Sequence, residues 1–62
     1  MAILTQAEYE EREFQDALSR GFAPSTARQK ARNSSRFLYE SLGEVFNTET
    51  GRAQKPGQEP PQ

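Results

Sequence analysis

Histidine, cysteine and tryptophan are all absent from this 62-residue chain. Without cysteine there is no disulfide, no thiolate nucleophile and no thiolate metal site. Without histidine the chain lacks the side chain most used for proton transfer near neutral pH, and the commonest zinc ligand. No glycine-rich phosphate loop is present. Carboxylates such as Glu10 and Glu13 can do acid–base work only in a cleft that excludes water and shifts a pKa. A hairpin-sized chain is not expected to build one, and nothing beside Asn33, Ser34 and Ser35 could activate them. The expectation is therefore a non-enzymatic protein with no metal, no cofactor and no small-molecule substrate.

Long hydrophobic runs are also missing. The start, Met1 to Leu4, is apolar only briefly and runs into acids, unlike a secretory signal. No apolar run approaches the ~20 residues of a membrane-spanning helix. The expected location is the cytoplasm or a particle assembled there, without secretion and without a membrane partner. Apolar bulk is scarce too, at 32% hydrophobic residues. A chain this short holds one domain at most, and small domains without disulfides or metals commonly need association to fold firmly.

What the chain does contain is two helix-forming stretches of opposite charge. Residues 5–20 carry Glu8, Glu10, Glu11, Glu13 and Asp16 against Arg12 and Arg20. Residues 25–36 carry Arg28, Lys30, Arg32 and Arg36 and no acid. The formal net charge of -1 conceals this division, which keeps a nucleic-acid partner possible.

The first helix has a complete start signal. Thr5 suits the N-cap, and Glu8 three residues later makes a capping box. Acids crowd the first turns, where the helix dipole favours them, and Gly21 is placed to end the helix in a left-handed conformation. Pro24 suits the first turn of a second helix; its cap is either Ala23 or one of Ser25 and Thr26. Ala27, Ala31, Ser34, Leu38, Leu42 and Val45 recur at three- or four-residue steps. That stripe predicts a helix running to Phe46, with Gly43 as a weak point in its interior. Beyond it the chain holds no large apolar residue, but has Gly51, Gly57, Pro56, Pro60 and Pro61, a composition that cannot offset its ordering entropy.

The sequence thus predicts an all-α fold, a two-helix antiparallel hairpin over residues 1–46 with helices at about 6–20 and about 25–46. A disordered or extended tail continues over residues 47–62. If the chain folds back near Phe22, Glu13 lies level with Arg32, Asp16 with Gln29 and Lys30, and Glu10 with Arg36. Such pairs choose register more than they stabilise.

Two candidate surfaces emerge. Phe37, Leu38, Tyr39, Leu42, Val45 and Phe46 form an apolar cluster that the thin first helix is not expected to cover. An uncovered patch on a small chain points to a protein partner or to self-association, with Tyr39 as a candidate anchor. Arg28, Lys30, Arg32 and Arg36 form the second candidate, a phosphate-contacting helix face flanked by Gln29 and Asn33. Its bland counterpart is a solvated face paired to the acidic helix. The run Gly21 to Arg28, continuing to Arg36, Phe37 and Leu38, resembles the helical core-binding segment of tyrosine recombinases. Ala23 stands there in place of the usual serine, and Lys30 where an aromatic is common. The resemblance spans residues 21–38, and it implies a DNA-contacting helix.

The function expected from these features is a small protein-binding module acting through the apolar end of the second helix and the tail. An accessory subunit of a bacteriophage particle, or a modulator of a host protein, would have this build. The alternative is a small DNA-binding regulator using the basic half of the second helix.

Overall fold

A computed structural model of the protein describes residues 2–57. Helix α1 spans Gln6–Ser19 and α2 spans Pro24–Arg36. One wide turn, Phe37–Ser41, continues α2 as a π-helix. Two short strands come next, β1 at Val45–Asn47 and β2 at Arg52–Gln54. The molecule is mostly helical, and its antiparallel strand pair makes an all-α description only approximate.

The start of α1 is as its residues dictate. The Thr5 hydroxyl accepts from the Glu8 amide at 3.2 Å, and the Glu8 carboxylate accepts from the Thr5 amide at 2.8 Å. At the other end Gly21 takes φ 95. Its amide donates to the Leu18 carbonyl, and the Phe22 amide donates to that of Ala17, which closes the helix in a Schellman motif. Of the two caps open for α2, the chain uses Ala23 with Pro24 in the first turn, and no side chain caps the helix.

The face between the helices is made of small side chains. Ala17 is buried on α1, and Ala27, Ala31 and Ser35 are buried on α2 at four-residue steps. Ala27, Ala31 and Ser35 are all 0% exposed, so the line buried along α2 consists of small side chains. The Ser35 hydroxyl is satisfied by the Arg32 carbonyl at 3.0 Å, which removes the cost of burying it. The bulkier stripe expected at the end of the second helix begins only at Leu38.

The second helix is shorter than its periodicity predicts. It does not run to Phe46, because Gly43 adopts the left-handed conformation with φ 66. The Glu44 amide then turns back to the Leu38 carbonyl at 3.0 Å. Gly43 is the terminator of the helix, not a weak point within it. Lys55 reinforces this end, donating from Nζ to the Leu42 carbonyl at 2.9 Å, where a cation opposes the negative end of the helix dipole.

The expected tail begins as structure. Val45 pairs with Gln54, Phe46 with Ala53 and Asn47 with Arg52. Asn47 makes the turn: its side-chain oxygen accepts from the Glu49 amide at 2.8 Å, and Gly51 supplies a left-handed residue at φ 70. The other edge of β1 is taken by the N-terminus. Ile3 bridges to Asn47, the Leu4 amide donates to the Phe46 carbonyl, and the Thr48 amide donates to the Ala2 carbonyl at 2.7 Å. Residues 58–62, including Pro60 and Pro61, lie outside the described residues.

Candidate functional site

The π turn decides which apolar side chains face inward. Its closing bond runs from the Leu42 amide to the Phe37 carbonyl at 2.9 Å, five residues back. One extra residue in the turn rotates the later residues relative to a regular helix. Leu38 is buried and Tyr39 half-buried, while Phe37 is 59% and Leu42 41% exposed.

The apolar cluster expected to be uncovered is therefore divided. Leu38 and Phe46 are buried within the chain itself, and Tyr39 and Val45 are half-buried. Phe46 sits beneath Tyr9 with ring centroids 5.3 Å apart, Tyr9 lies 5.6 Å from Tyr39, and the Arg12 guanidinium covers the Phe46 ring at 4.5 Å. Tyr39, expected as an interface anchor, spends its hydroxyl internally on Leu4 and Phe46. The cover comes from Tyr9 and Arg12 on α1, residues that a count of aliphatic side chains overlooks. Burial pushes the Tyr9 hydroxyl up to about 12, helped by its hydrogen bond to the Glu13 carboxylate at 2.9 Å. Phe37 and Leu42 remain as the outward-facing part of the predicted set.

One shallow groove adjoins this end of the molecule, and another lies towards the connection between the helices. The first, about 280 Å³, is lined by Asn33, Arg36, Phe37, Glu40 and Ser41. The other, about 460 Å³, lies between the helices, with Glu13, Asp16, Arg20 and Lys30 on its rim and Ala17 and Ala31 in its lining. Its rim carries both signs of charge.

The basic candidates are dispersed. Arg28 folds back along α1, stacking on the Phe14 ring at 3.7 Å and reaching Glu11 at 3.1 Å and Glu10 at 3.5 Å. Hydrogen bonds from Gln15 and then Arg28 hold the Glu11 carboxyl below its usual range. Lys30 lies over the Phe22 ring at 4.8 Å. Arg36 pairs with Glu40, one turn along, at 3.8 Å. The predicted match of Glu10 with Arg36 and Glu13 with Arg32 is not formed, because Arg28 is long enough to reach Glu10 and Tyr9 occupies Glu13. Arg32 is exposed.

Among the described residues no cluster of acidic, histidine or cysteine side chains could hold a metal ion, and no helix is long and apolar enough to cross a membrane. Compared with protein-family models, curated proteins and solved structures, the chain matches none.

Sequence reasoning missed the strand pair and the anchoring of the N-terminus on it. A signal for the first was present. Asn47 and Gly51 bracket Thr48, Glu49 and Thr50 between extended-compatible residues, a turn pattern with a mechanism. No signal in the sequence announces that residues 2–4 pair with β1.

Proposed function

We propose that this chain is a small protein-binding module that acts through the Phe37 and Leu42 end of its helical hairpin. The observation that carries the reading is that these two large apolar side chains stay exposed although Tyr9, Tyr39 and Phe46 have been gathered into a cluster a few residues away. Phe37 and Leu42 are joined across the π turn by a backbone hydrogen bond, Phe37 is the most exposed of the large apolar side chains, and contiguous exposed apolar patches mark contact sites. The scaffold under them is rigidly specified: the π turn, the Gly43 terminator and the Lys55 cap all fix where they point. The basic side chains support the nucleic-acid reading less, since Arg28 and Arg36 are already engaged by carboxylates.

The test is a photo-crosslinking residue placed at Phe37 in cells that produce the protein, with exposed Gln15 on α1 as control. The expected result is an adduct of discrete mass from position 37, lost when Leu42→Asp is added. Equal labelling from both positions, or none from position 37, would remove the reading. Retention on DNA that falls steeply with salt, and that is lost in Arg32→Glu but kept in Leu42→Asp, would replace it with the nucleic-acid alternative.

A further inference from the structure

We draw no further inference here: the strongest candidate, the surface patch of exposed Phe37 and Leu42 on the π turn with the groove of about 280 Å³ that Phe37 lines, has Glu40 on its rim already bonded by Gln6 at 2.7 Å, and nothing in the structure shows what covers it.

Discussion

The hydroxyl of Tyr39 accepts a hydrogen bond from the backbone amide of Phe46 at 3.1 Å. The same hydroxyl donates to the Leu4 carbonyl at 2.7 Å. One side chain on the π turn therefore locks the N-terminal segment and β1 to the helical hairpin. The two strands are too short to be stable by themselves, so their order depends on this clamp and on the aromatic cluster around it.

Tyr39→Phe should lower stability by about 1–3 kcal/mol, because both backbone groups lose a partner in a part-buried place. The ring and its packing on Tyr9 would remain. Urea unfolding followed by circular dichroism measures the change, and amide exchange at Phe46 should accelerate more than exchange in the middle of α1. A neutral substitution would show that the hydroxyl is dispensable to the strands.

Gly43→Ala discriminates between the helix that periodicity predicts and the one that forms. In a continuous helix, alanine would raise stability by about 1 kcal/mol. At φ 66 it must instead bear the left-handed penalty, about 1–2 kcal/mol. Space is not at issue, since an added methyl group meets nothing within 4 Å. The sign of the change in unfolding midpoint therefore reports the backbone conformation directly.

This residue also shows where sequence reasoning stops. Much that local signals govern was legible: the Thr5 and Glu8 box, the Gly21 terminator and a helical hairpin, with the start of α2 left open between Ala23 and Ser25 or Thr26. Gly43 was not, because an apolar residue at Val45 continues the helical spacing while the backbone has already left it. The stripe from Leu38 to Val45 fits a helix and fits a turn leading into a strand equally well by spacing alone. The tail was misread for a related reason. Its composition is that of an unfolded segment, yet Asn47 and Gly51 need only local geometry to make a turn, and Phe46 brings the burial. The candidate face was half legible. Its membership was read from apolarity, but which members face outward depends on the π turn, and no local rule forecasts one.

Ala31→Leu should destabilise the hairpin by about 1–3 kcal/mol, since a fully buried small residue leaves no room for a larger one. For a chain of this length each kcal/mol lowers the melting temperature by roughly 4–8 °C. The exposed Ser34 provides the contrast: Ser34→Leu should leave the melt nearly unchanged. If both substitutions behave alike, the helices do not approach along the Ala27, Ala31 and Ser35 line.

The alkaline limb of stability should belong to Tyr9. Its ordinary pKa is 10.0, and in the folded chain burial against Tyr39 and Phe46, with the Glu13 carboxylate beside it, pushes it to about 12. Below pH 10 the hydroxyl is protonated whether the chain is folded or not, so its full contribution is present. As pH rises from about 10 to about 12 the unfolded chain releases this proton and the folded chain retains it, so stability falls across that window. Tyr9→Phe removes the proton without removing the ring. Its urea midpoint should change less between about pH 9 and about pH 11 than that of the parent chain, because every other titrating group is common to both. The Glu13 hydrogen bond is lost as well, so the variant starts lower at neutral pH and the two curves converge as pH rises. Parallel curves would mean that the Tyr9 hydroxyl reaches water freely and that the aromatic cluster is more open than its ring spacings indicate.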